Sequence, residues 1–509
     1  MEISFPTCPV LPMLRRSCVA ALRRSGFAIL AVAALSAPAA RAENSVTLGG
    51  VTLVNHGLIG VGRLPADLRD KFGETFGSGS GMAIDPGSWR RDGASLRGTI
   101  YLLPDRGYNV SGTIDYRSRV NKLEVVLTPP ARPEDMPVDE RQRTVAAELA
   151  DTILLTDPAG APLTGLDPAA GGIRPAKDGL PPMPLAPNGR VALDAEGLVR
   201  ARDGSFFVSD EYGPYIYRFS AQGRMLGAIR PPEAFIPRRN GADHFSSNNP
   251  GAGQSAPVPA NPDSGRQNNQ GFEGLALTPD GRYLVAILQS ATRQDGGDAP
   301  ETRDHTRILY YDVSTIDHLV LVREHVVVLP AFTTAEGKRR IAAQSELLAL
   351  DDNRFLLLCR DSDNGFGQKG ATSRYRRIEL VDTSAATNIA GSPYDAFAPV
   401  APKGRLADGI VPAARESFID LNDNAELAKF GLHNGPPQDR NDLSEKWEGM
   451  GLVPALDPDH PRDFFLLVAN DNDFITQHGF HAGAPYRDPS GVDLDTMLLV
   501  FRVTLPLRH

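Results

Sequence analysis

The residues best suited to chemistry in this chain are glutamates that recur in one local setting. Glu-Gly-apolar occurs as Glu196-Gly197-Leu198, Glu273-Gly274-Leu275 and Glu448-Gly449-Met450, with degenerate copies at Ser80-Gly81-Met82 and Ser345-Glu346-Leu347. Each copy opens an apolar strand, then a turn, a second apolar strand and a polar cluster. Partners in an antiparallel hairpin lie symmetrically about the turn. That symmetry predicts Glu196 beside Asp210, Glu273 beside Gln289, Glu346 beside Asp361, Glu448 beside Asn470 and Ser80 beside Asp105.

Carboxylates gathered at such hairpin ends repel one another, and a hard cation with oxygen ligands relieves the repulsion. The expected ligands are Glu196, Glu273, Glu346, Glu448, Asp210, Glu211, Asp361, Asp363, Asn470, Asp471 and Asp473. Flexible oxygen coordination suits Ca2+. Of these residues, Glu196, Glu273, Glu448 and Asp210 are the expected catalytic groups. Arg106, Arg360 and Lys446 each neighbour a repeat's polar end and are candidates for contacting an anionic substrate. The competing structural reading is that Asp, Asn and Gly cap strands and that Glu-Gly bonds the neighbouring repeat. Dispersed histidines argue against zinc, and the absence of Gly-x-Ser-x-Gly argues against a serine hydrolase elbow.

The elements that must position these residues are short strands. Copies begin at 80, 196, 273, 346 and 448, and each interval has room for two further strands. Four strands per repeat, arranged radially, make a β-propeller. The fold expected is all-β with six blades, five of them recognisable repeats, the sixth built from the strands around Val46–Ile59 and Met497–Leu505. A pair of β-sandwiches is the alternative, and it leaves the repeated tripeptide unexplained. The long Pro- and Asn-rich loop 231–271 either covers the site or is an irregular insertion.

Composition agrees with a loop-rich globular protein. The chain has 509 residues, 49 Gly and 42 Pro, and a net charge of −9, which argues against a nucleic-acid partner. Arg15, Arg16, Arg23 and Arg24 precede an apolar run of about ten residues and the small-residue site Ala40-Arg41-Ala42, which together read as a secretory leader over residues 1–42. Its removal takes away five Arg, one Glu and two of three cysteines, leaving −13 and a lone Cys359 in an apolar run, expected to be buried and inert. Residues 43–509 then form a single exported propeller domain, periplasmic or secreted, with no membrane span, and monomeric.

Asp194-Ala-Glu-Gly-Leu198, Ser209-Asp-Glu-Tyr-Gly-Pro-Tyr-Ile-Tyr217, Asn269-Gln-Gly-Phe-Glu-Gly-Leu275 and Trp447-Glu-Gly-Met450 resemble the phytase-like family, described by an esterase-like activity of phytase. The resemblance covers about residues 75–505. It implies a β-propeller and hydrolysis of phosphate or related esters. Glu-Gly-Leu is also similar to the Glu-Gly-Pro of gluconolactonase-type propellers, whose Glu ligates a metal. Three readings follow: a Ca2+-dependent hydrolase of small anionic phosphate esters, a lactonase or carboxylic ester hydrolase at the same metal, or a non-catalytic ligand-binding propeller with structural calcium.

Overall fold

Apolar runs such as Phe355-Leu356-Leu357-Leu358-Cys359 are buried on both faces, so each sheet must be covered on both sides. In the computed structural model, which describes residues 44–315 and 319–506, the sheets solve this by stacking face to face around an axis. Five antiparallel sheets of four or five strands form among the described residues, with four two-stranded ribbons beside them. The first holds Gly81–Ile84, Ser95–Leu103, Arg119–Leu127 and Val145–Leu154. The second holds Ala195–Arg200, Phe206–Asp210, Ile216–Phe219 and Met225–Ile229. The third holds Phe272–Leu277, Tyr283–Leu288, His305–Asp312 and Val320–Val328, and the fourth Ala343–Ala349, Arg354–Arg360, Arg376–Asp382 and Ala414–Asp420.

The fifth sheet closes the ring. Lys446–Pro454, Asp463–Asp471 and Thr496–Thr504 are extended by the N-terminal strands Val51–Leu64 and Asn44–Leu48. Val61 pairs Leu499, and Leu64 pairs Thr496. The terminal strands therefore join one blade, and the sixth blade expected from them does not form: the propeller has five. The first strands of successive blades touch one another in a complete circle, the fifth returning to the first.

The core lies between blades. Ala83, Tyr101, Leu103 and Val120 of the first blade pack on Leu198, Phe206, Val208 and Tyr217 of the second. Cys359 belongs to the layer between the third and fourth blades, where burial pushes its thiol well up and leaves it unreactive. The described residues belong to one compact unit. No helix among them is long and apolar enough to cross a membrane. The leader expected over residues 1–42 lies outside the described residues.

Candidate functional site

Each innermost strand starts at the same end of the propeller, because strands alternate in direction and the chain runs out through four strand positions in each of the first four blades before entering the next. The connections 104–118, 155–194, 230–271, 361–375, 421–445 and 472–495 all lie at that end. The five carboxylate- or serine-bearing strand starts point their chemistry there.

The Glu-Gly repeat is a β-bulge. Ala195 pairs Asp210 and Leu198 pairs Val208, so Glu196 and Gly197 share one partner position. The register shifts in the same way between Phe272 and Leu275, Gln344 and Glu346, and Trp447 and Gly449. A bulge bends its strand and re-aims a side chain. The glycine has a separate reason. A Cβ on Gly81 would lie 2.2 Å from the Glu196 carbonyl oxygen, and one on Gly197 2.5 Å from that of Glu273. Inner strands thus approach too closely for any side chain at that position. The apolar third residues, Met82, Leu198, Leu275, Leu347 and Met450, are buried and floor the channel, with a cavity of about 390 Å3 at its lower mouth.

Above that floor the carboxylates converge. Two triads bring ligand oxygens within 4.8 Å of one another: Asp194, Glu196 and Glu211 in one, Asp105, Asp471 and Asp473 in the other. Glu273 and Glu448 act electrostatically on both Glu196 and each other. Burial, then the carboxylates Glu273, Asp194, Glu211 and Glu448, push Glu196 well above the carboxylate range. Burial raises Asp194 to about 7 against the opposing Arg106, and Glu448 to about 7 against Arg360. All five blades contribute to this one electrostatic cluster.

Three cations enter it. Arg106 Nη1 donates to Asp194 at 2.7 Å, and Arg360 Nη2 to Glu448 at 2.5 Å. Lys446 Nζ lies 3.1 Å from Asp471 and 2.5 Å from Asp473. Lys446 thereby supplies positive charge to the triad of Asp105, Asp471 and Asp473. The other triad keeps unanswered oxygens: Asp194 Oδ1 and, beside it, Glu273 Oε2 are buried without a hydrogen-bond partner. Gln289 donates to the other oxygen of Glu273. Lys446, Glu445 and Asp473 are partly exposed and mark the opening to solvent.

Of the residues expected from sequence, the structure gathers Glu196, Glu211, Glu273, Glu448, Asp471 and Asp473, together with Arg106, Arg360 and Lys446. Glu346 reaches the cluster's edge, where its Oε1 accepts from Leu347 N at 2.8 Å and from Leu275 N of the adjacent blade at 3.3 Å. Four expected ligands are placed otherwise. Asp210 is saturated by the backbone N–H groups of Asp194, Tyr212 and Gly213 and by Tyr217. Asp361 accepts from Ser373, Arg374 N and Asn364. Asn470 bonds Ser444 and the Asp495 carbonyl. Asp363 is exposed on a loop outside the channel. The first three organise turns, and none of the four belongs to either carboxylate triad. Asp105, Asp194 and Glu445 were not among the expected ligands. Asp194 stands two residues before Glu196, and Asp105 stands beside Arg106 at a hairpin end, so position alone could have flagged both.

The loop 231–271 is folded and tied to the 211–215 connection of the second blade. Arg266 is buried and donates to the carbonyls of Tyr212 and Phe245, and Gly271 N donates to Glu211 at 3.2 Å. The rim opposite is held by an aromatic cluster of Tyr116, Phe474, His481 and Tyr486, joining the loops that carry Asp105 and Asp473. Burial pushes His481 down to about 3, whereas the unfolded chain protonates near pH 6.5. The unfolded state therefore binds more protons as pH falls below about 6.5, and stability drops toward acid. His481→Gln should melt lower than or near wild type at pH 7.5 and gain on it steadily toward pH 5. A melting difference independent of pH, followed by calorimetry, would exclude this role.

Comparison with known proteins gives one family: the phytase-like family, described as esterase-like activity of phytase, matches residues 74–474. An uncharacterized secreted protein of Arthroderma benhamiae is 39% identical over 490 residues, covering 89% of this chain and 95% of its own. Among solved structures, a luciferin-regenerating enzyme is similar at 11% identity and TM-score 0.25, covering 87% of this chain and 94% of its own. A gluconolactonase of Xanthomonas campestris is similar at 10% identity and TM-score 0.26, covering 90% and 91%.

Proposed function

The chain belongs to the phytase-like family, and from that premise we propose that its acidic channel hydrolyses phosphate esters with the help of a bound divalent cation. The observation that carries this reading is the triad of Asp194, Glu196 and Glu211 beside Glu273, with two buried carboxylate oxygens lacking any partner. An all-oxygen donor set with excess negative charge fits a hard cation, and Ca2+ tolerates its irregular geometry. Asp194, Glu196, Glu211 and Glu273 would hold the ion, which when bound polarises a phosphoryl oxygen and acidifies water.

The chain's own residues supply the rest. Arg106, Arg360 and Lys446 would bind and orient the anionic group, since guanidinium and ammonium donors match phosphoryl oxygens. Glu448, held at about 7 and paired with Arg360, is suited to exchange a proton with water or the leaving oxygen near neutral pH. The apolar floor closes the cup from below and strengthens these interactions. The leader expected over residues 1–42 and the secreted relative support action outside the cytoplasm.

Purified protein should release phosphate from a chromogenic phosphomonoester, lose that turnover in EDTA and regain it with added Ca2+. Turnover of lactones or carboxylic esters without phosphate release would redirect the reading. Inertness across the whole panel, with and without Ca2+, would overturn it.

A further inference from the structure

Outside the channel, loops of the third and fourth blades enclose a second cavity of about 510 Å3. Arg303, Arg340 and Arg374 line it, with the hydroxyls of Thr334 and Thr372. The three arginines come from separate connections, 289–304, 329–342 and 361–375, so the fold rather than one charged run brings them together.

Arg303 is half-buried, and its Nε is fully buried without a hydrogen-bond partner. A buried guanidinium nitrogen without an acceptor is costly. Arg106, Arg360 and Arg376 share a buried Nε without a partner, but each is answered at another nitrogen, as are Arg119 by Asp70 and Glu74 and Arg307 by Asp295 and Glu324; Arg303 shows no such partner among the described residues. The acid next to Arg303, Asp304, is engaged by Arg339 instead. The charged neighbour acting on Arg303 is Arg340, a second cation. Glu336 and Asp363 also line the cavity but are exposed, and among the described residues neither forms an ion pair within 4 Å with the three arginines.

We propose that this cavity is an oxyanion site that takes a phosphate group, free or carried on a small molecule, through Arg303, Arg340 and Arg374. Forked guanidinium donors on several sides match a tetrahedral dianion. The cavity shares no lining residue with the channel's carboxylate cluster, so the proposal stands whether or not the channel hydrolyses esters.

Titration calorimetry on the full chain without added Ca2+ tests it, with inorganic phosphate and glycerol phosphate as probes at matched ionic strength. Arg303→Gln should weaken binding about tenfold or more, the loss of a charge-assisted hydrogen bond. Arg374→Gln, at an exposed position that leaves folding intact, should weaken it by a smaller factor. In phosphate-free chloride buffer Arg303→Gln should melt no lower than wild type, because no protein partner is lost. Tighter binding of the ester assigns the site to a carried phosphate, and tighter binding of inorganic phosphate to the free anion. Equal affinity in wild type and both variants would overturn the proposal, as would no binding up to concentrations on the order of 10 mM.

Discussion

Replacing Glu196 by Gln is expected to lower phosphomonoester turnover on the order of a thousandfold, the scale on which removal of a charge-stabilising group acts. The same change should raise the stability of chelator-treated protein by about 1–3 kcal/mol. The two effects have one cause. The charged groups acting most strongly on the Glu196 carboxylate, Glu273, Asp194, Glu211 and Glu448, are all carboxylates, so its charge is a burden on the folded state unless a cation answers it. Glutamine keeps the shape and removes the burden, together with a ligand oxygen. Kinetics with Ca2+ and melting in EDTA read the two halves separately. A variant that melts lower than wild type in EDTA would mean that Glu196 is held by contacts rather than strained by neighbours.

Gly197→Ala should be among the most damaging single changes in the molecule, costing about 3 kcal/mol or more, at or beyond the upper range of overpacking. The added Cβ would sit 2.5 Å from the Glu273 carbonyl oxygen and 2.6 Å from Leu275 Cβ. Both belong to the next blade's innermost strand, so relief requires that blade to move outward. The ring is closed, and no blade can yield alone. Glu273 moves with its backbone, so activity should fall further than stability explains. Gly227→Ala is the control: it lies in an outer strand with open space around its Cβ position and should cost under about 0.5 kcal/mol. Urea denaturation of the pair measures the contrast, and equal midpoints would refute ring closure as the reason for the repeated glycine.

Hairpin symmetry reads the lower half of each blade's inner pair well, because the turns Asp203-Gly204 and Asp280-Gly281 fix register from nearby. It fails progressively toward the glutamates. Leu198 pairs Val208 about the expected centre, yet one residue is lost at the bulge, and Ala195 rather than Glu196 faces Asp210. In the fourth blade Glu346 faces Leu358, far from Asp361. The bulge glycines meet the neighbouring blade's backbone, a contact 73 or more residues away that no local pattern contains. The same distance explains the other differences. Asp210 and Asp361 have the composition of ligands, and their oxygens are claimed by turns of their own blade. Asp194 and Asp105 come into the site through loops whose path depends on blade packing. The blade count also turned on a long-range pairing, Val61 with Leu499, since strands at the two ends of a chain can complete a blade as readily as begin one.

Calcium titration of the chelator-stripped protein by isothermal calorimetry, wild type against Glu196→Gln, tests the channel most directly. Saturable binding to wild type, with a matching rise in melting temperature and loss of both in the variant, is the result expected from the open oxygens of Asp194 and Glu273. No saturable binding of Ca2+ or any other divalent cation to wild type, or binding unchanged by Glu196→Gln, would contradict it.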